Sequence, residues 1–130
     1  MDDGEYRLYV GRRGIIGPAV VQVLTQVGGS LALDPRLDLW SHSPSGFNWG
    51  YAGSGPAQTA LALLADATGD DSLAVRLHQD FKHEVVSGWD NYFAISRAQI
   101  LLWVCHKCEE LLADVVDLRE FDDREACDGE

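Results

Sequence analysis

The sequence predicts an α+β fold, in which a small antiparallel β-sheet from the N-terminal half packs against about three helices. Three observations predict it. Short aromatic and β-branched runs broken by glycine fill the region before residue 52, and alanine- and leucine-rich segments of helical periodicity follow. The chain of 130 residues is also the size of one domain with one core.

Each element has its own local reason. Tyr6-Arg7-Leu8-Tyr9-Val10 reads as a strand that stops at Gly11, with Gly14 and Gly17-Pro18 punctuating the loop that follows. Val20 to Val27 is a second extended stretch, and Gly28-Gly29 supplies the positive φ angles of a tight hairpin turn before Ser30 to Leu33. Phe47, Trp49 and Tyr51 alternate with Asn48 and Gly50, which predicts three rings on one face of a short extended segment. Gly53-Ser54-Gly55-Pro56 opens a first helix, with Ser54 expected as its cap and proline suited to a first helical position; the helix ends before Gly69. Asp70-Asp71-Ser72 offers capping oxygens to a second helix, where Leu73, Leu77, Phe81 and Val85 recur every four residues until Gly88. Trp89 to Ile95 reads as a turn leading into a short strand. Ser96 and Gln99 then stand in capping-box spacing before a third helix, whose one face carries Ile100, Leu101, Val104, Cys108, Leu111, Leu112 and Val115. After Asp117 periodicity is lost and charge accumulates, so one domain over 1–116 and an acidic, disordered tail over 117–130 are expected.

Charge narrows the functional classes. Ten basic against 21 acidic residues give a net charge of −11, which repels phosphate backbones and anionic lipid and argues against a nucleic-acid partner. Fourteen of the acids are aspartate, and only Lys82 and Lys107 are lysine. Short carboxylates hold water and cations at the surface, whereas lysine's apolar stem suits concentrated salt poorly; the balance points to a halophilic, salt-accumulating cytoplasm. Screening there shortens the Debye length to about 3 Å at 1 M, which weakens the argument against nucleic acid. The apolar run Ile100 to Cys105 is too short to span a bilayer, and Met1-Asp2-Asp3-Gly4-Glu5 is acidic where a signal peptide is basic. A cytoplasmic protein without membrane association is expected.

The runs Asp34-Pro35-Arg36-Leu37-Asp38-Leu39 and His42-Ser43-Pro44-Ser45-Gly46-Phe47-Asn48-Trp49-Gly50-Tyr51-Ala52-Gly53-Ser54-Gly55-Pro56-Ala57-Gln58 resemble domain of unknown function 6166, a family of small archaeal, bacterial and phage proteins. Ala60-Leu61-Ala62-Leu63-Leu64 and Leu77-His78-Gln79-Asp80-Phe81-Lys82 continue the resemblance. The chain departs from the pattern at Ala52, where glycine is usual, and in its longer helix and tail after Trp103. The resemblance implies a compact α+β domain of the kind mobile elements carry, and it transfers no catalytic residue.

Among candidate sites the glycine-rich turn stands first. A turn opening a helix exposes backbone N–H groups at the positive end of the dipole, so Trp49, Tyr51, Gly53, Ser54, Gly55 and Gln58 are candidate ligand-binding residues. The turn lacks the lysine and the Ser/Thr of a P-loop, and its spacing differs from the dinucleotide fingerprint. Cys105 and Cys108 have zinc-ligand spacing, but His106 points away from them on a helical wheel, and both thiols read as small buried side chains of the apolar face. His78 and His83 lie about 140° apart around the second helix and do not converge; with Asp80 and Glu84 they read as a solvated face. His42-Ser43 would need an orienting carboxylate such as Asp38 to act as base and nucleophile. No catalytic residue, metal or cofactor is therefore assigned. The leading reading is a non-enzymatic interaction module, because the aromatic segment Trp40 to Tyr51 exceeds what a thin sheet easily buries; its partner would be another protein or a second copy. The alternative is a small-molecule or phosphate-binding domain at the glycine-rich turn.

Overall fold

The computed structural model describes residues 6–14 and 19–128, with side chains through Asp114 at the C-terminal end. Four strands, β1 (Arg7–Arg12), β2 (Val20–Thr25), β3 (Ser30–Ala32) and β4 (Tyr92–Ser96), pair antiparallel in the order β3-β2-β1-β4. Three helices, α1 (Ser54–Thr68), α2 (Asp71–Glu84) and α3 (Arg97–Asp128), complete the predicted α+β fold. The short strand expected after Trp89 is β4, and it pairs with β1 at the edge opposite β3.

Local signals set the boundaries. Gly28, at φ +94°, turns the β2–β3 hairpin, and its N–H donates to the Thr25 carbonyl at 3.0 Å. Gly69 ends α1 in the left-handed region, its N–H bonded to the Ala65 carbonyl. Asp70 caps α2 by accepting from the Leu73 N–H at 3.0 Å. At α3 the Ser96 N–H donates to Gln99 Oε1 (2.9 Å) while the Gln99 N–H donates to Ser96 Oγ (3.0 Å), a reciprocal capping box.

The core forms where the inward face of the sheet meets α1. Tyr9, Val21, Val23 and Phe93 project from the strands, and α1 is buried almost all round, as its run of alanine and leucine dictates. Asp66 on α1 fixes the docking angle. It accepts from Arg7 Nε at 2.9 Å and from the Tyr9 hydroxyl at 2.5 Å, and burial with this bond pushes the Tyr9 phenol above its usual range.

Three expectations are corrected. Phe47 to Tyr51 is not an extended segment with one aromatic face: Gly50, at φ +87°, reverses the chain, so Trp49 is fully buried while Tyr51 is exposed. On α3 the packed residues are Ile100, Trp103, Val104 and Lys107, and both Cys105 and Cys108 are exposed. The Trp103 ring meets Phe81 edge-on at 4.9 Å, while its indole N–H and Lys107 both donate to Glu84 of α2, so these contacts rotate the helix away from the face that periodicity suggested. Leu111 and Leu112 stay exposed, since α3 continues beyond the body that its first turns cover, and Leu102 is exposed on the side of those turns away from Ile100 and Val104. Removing the two thiols therefore empties no core site. The backbone of α3 runs to Asp128, whereas the side chains that would test a domain ending at 116 and a tail over 117–130 lie outside the described residues.

The third correction concerns His78, which is not on a solvated face but 1% exposed. The loop between β3 and α1 folds over α2, tied down by Arg36 to Asp71 at 3.0 Å, and brings His42 against it. Burial holds both imidazoles below their ordinary value of 6.5, with Lys82 adding repulsion. The unfolded chain thus binds protons first as pH falls, and stability is expected to decline from pH 6.5 downward, well before carboxylates titrate. Urea midpoints measured between pH 7.5 and 5 at fixed salt check this; a midpoint unchanged across that interval would contradict it.

Candidate functional site: a cationic cavity at the start of the first helix

A cavity of about 440 Å³ opens where three segments converge. Arg13 follows β1, Ser43, Ser45 and Asn48 come from the loop before α1, and Tyr51, Ser54 and Gly55 form the turn into α1.

Threonine and asparagine hold the turn. The Thr59 hydroxyl accepts from the Asn48 N–H (3.1 Å) and donates to the Asn48 carbonyl (2.7 Å), locking the loop onto α1. Asn48 Oδ1 in turn accepts from Arg13 Nη1 at 2.8 Å, and the same guanidinium nitrogen donates to the Trp49 carbonyl. Arg13 Nε donates to Asn91 Oδ1 at 3.3 Å, so these three hydrogen-bond partners are neutral, while Asp90 lines an adjoining recess with Arg13. The guanidinium carbon lies 5.7 Å from the Trp49 ring centroid. Gly55 is required by proximity: a Cβ there would lie 2.6 Å from Asn48 Cβ.

The electrostatics favour an anion. No aspartate or glutamate is among the described residues lining the cavity, although the chain has 21 acidic residues. Gly53 caps α1 without a side-chain hydrogen bond, so the positive end of the helix faces the cavity next to Arg13.

The candidate residues divide. Tyr51, Ser54 and Gly55 line the cavity. Trp49 and Gln58 are fully buried with their polar atoms already bonded, and Gly53 lies beneath the Tyr51 ring. Arg13, Ser43, Ser45 and Asn48 were not among the candidates. An arginine beside glycine after a strand, in a chain poor in cations, was the one available signal. Ser54 does not cap α1, and Gly53 has φ −151°, so the glycine of this turn held at positive φ is Gly50 instead. Ser54→Ala should leave stability within about 0.5 kcal/mol, whereas Gly50→Ala should cost about 1–2 kcal/mol, since a Cβ there would also lie 2.8 Å from the Trp89 carbonyl. Urea denaturation of both variants reads the difference, and equal costs would contradict the assignment.

Fold and cavity together define a small α+β domain with a polar recess at a helix start, in which Arg13 is the one cation among the described lining residues. The chain belongs to the family of unknown function DUF6166, whose model matches residues 9–106 and so covers most of the sheet, the cavity and α3 as far as His106. Among curated proteins and among solved structures no match was found. No described helix is long and apolar enough to cross a membrane.

Proposed function

We propose that the protein is a binding domain for a small anionic ligand, a phosphate- or carboxylate-bearing molecule held in the cavity at the start of α1. One observation carries this reading: in a chain of net charge −11, the described residues lining the cavity pair a fixed arginine with hydroxyl and amide groups and include no carboxylate. Its volume of about 440 Å³ suits a small molecule. Arg13 supplies the charge, Ser43, Ser45 and Ser54 can donate to anionic oxygens, and Tyr51 forms a wall. The reading is of binding without turnover. An interaction module has less to support it, because Trp49, the centre of the aromatic segment, fills the protein's own core.

The acidic, lysine-poor composition further suggests a salt-rich cytoplasm, so ligand tests require fixed ionic strength. In a thermal-shift series with phosphate, sulfate and nucleotides under that condition, one class of anion should raise the melting temperature saturably. Arg13→Gln keeps a donor towards Asn48 but removes the charge, and it should abolish the increment. Absence of any anion-specific shift in the wild type would end the proposal.

A further inference from the structure

We infer that His42 and His78 form a binding site for a divalent transition metal of the Cu²⁺ type, separate from the anion cavity. The two residues come from different elements, the loop before α1 and the middle of α2, yet their Nε2 atoms face each other at 2.9 Å. Two imidazole nitrogens at that distance share a single proton, or they share an ion. With metal–nitrogen bonds of about 2.0–2.1 Å, a 2.9 Å separation gives an angle near 90° at the metal. That is the angle between adjacent positions of a tetragonal or octahedral ion, the geometry of Cu²⁺ and Ni²⁺.

The surroundings hold both rings in place. His78 Nδ1 lies 2.6 Å from the Val75 carbonyl, so this nitrogen carries the proton and Nε2 presents its lone pair towards His42. A backbone acceptor on the far nitrogen is the arrangement that fixes metal-bound histidines. His42 is held from the other side, its backbone N–H donating to Gln58 Oε1 at 2.7 Å and its ring stacked on Trp40 at 4.9 Å and 12°. Among the described residues, no group of three or more His, Cys, Asp or Glu side chains gathers to hold an ion. The Gln79 amide nitrogen, 3.4 Å from His78 Nε2, is a hydrogen-bond donor and not a ligand, so water reaching the site from the partly exposed His42 side would complete the shell.

The test uses the full chain with its thiols carbamidomethylated, because Cys105 and Cys108 are exposed and would compete for copper. One equivalent of Cu²⁺ should quench the emission of Trp40, and pulsed electron paramagnetic resonance should show two equatorial imidazole nitrogens. His42→Gln should weaken binding about tenfold or more and remove one imidazole signal. It should remain folded, because the backbone N–H groups of residues 42 and 43 stay bonded to Gln58 Oε1 when the ring contacts are lost. Trp40→Phe should lose the quenching and keep the two-imidazole signature. Failure of the wild type to bind Cu²⁺ stoichiometrically would overturn the inference. So would a two-imidazole signal that persists in His42→Gln, since His83 and His106 would then be the ligands.

Discussion

Replacing Gln58 by leucine is expected to destabilise the protein by about 3 kcal/mol or more, almost all of it from polar groups left without partners. The side chain is fully buried on α1 and uses its whole hydrogen-bonding capacity on the loop before that helix. Oε1 accepts from the N–H groups of His42 (2.7 Å) and Ser43 (3.0 Å). Nε2 donates to the carbonyls of Pro35 (2.6 Å) and Trp40 (3.0 Å). Leucine fills a similar volume, so the cavity contribution is small and four backbone groups of one loop lose their partner together. Partial rehydration of the loop keeps the sum below four full penalties of about 1–3 kcal/mol each. Chemical denaturation measures the loss, and a change below about 1 kcal/mol would mean that the loop is held by something else. Gln58, a candidate ligand-binding residue in the sequence, thus spends its polar atoms as an internal tether.

Trp49→Ala should cost about 3–5 kcal/mol, the range for removing a large ring from a closed core. The indole is fully buried, meets Phe93 edge-on at 4.8 Å, and donates from Nε1 to the Asp90 carbonyl at 2.6 Å. Its loss opens a void between the loop and the sheet and leaves the Asp90 carbonyl unpaired. Trp49→Phe separates the two effects: most packing is kept while the hydrogen bond goes, for about 1–2 kcal/mol. Equal losses in both variants would show that the ring is not the source of the stability. Since the Trp49 carbonyl accepts from Arg13, the alanine variant is also expected to loosen the cavity.

What the sequence made legible was local in origin. The Gly28-Gly29 turn, the Asp70 cap, the Gly69 stop and the Ser96–Gln99 box each depend on residues within a few positions of one another, and each lies where the chain pattern placed it. The loop from Asp34 to Ala52 was not legible, because its shape is set by Gln58, Thr59 and Asp71 reaching across from helices. Alternating apolar residues there mimicked a strand until Gly50 adopted a positive φ. On α3, periodicity gave a stripe but not how far the body extends beneath it, so Cys108 and Leu112 counted as core although they are exposed. His78 was read as part of a solvated face; its partner lies 36 residues away, beyond any wheel. Of the site, the helix start with Tyr51, Ser54 and Gly55 was visible in the sequence. Arg13 was not, since only the β1–β4 pairing and the Asn48 turn bring it there.

The most direct test of the anion-binding account is a titration of the ¹⁵N-labelled chain with inorganic phosphate at constant ionic strength, followed by amide and arginine side-chain resonances. The amides of Asn48, Ser54 and Gly55 and the Nε–H of Arg13 should move together along one saturating curve, with Arg13→Gln removing the response. Shifts that never saturate, or that saturate only at residues away from the cavity, would contradict the account.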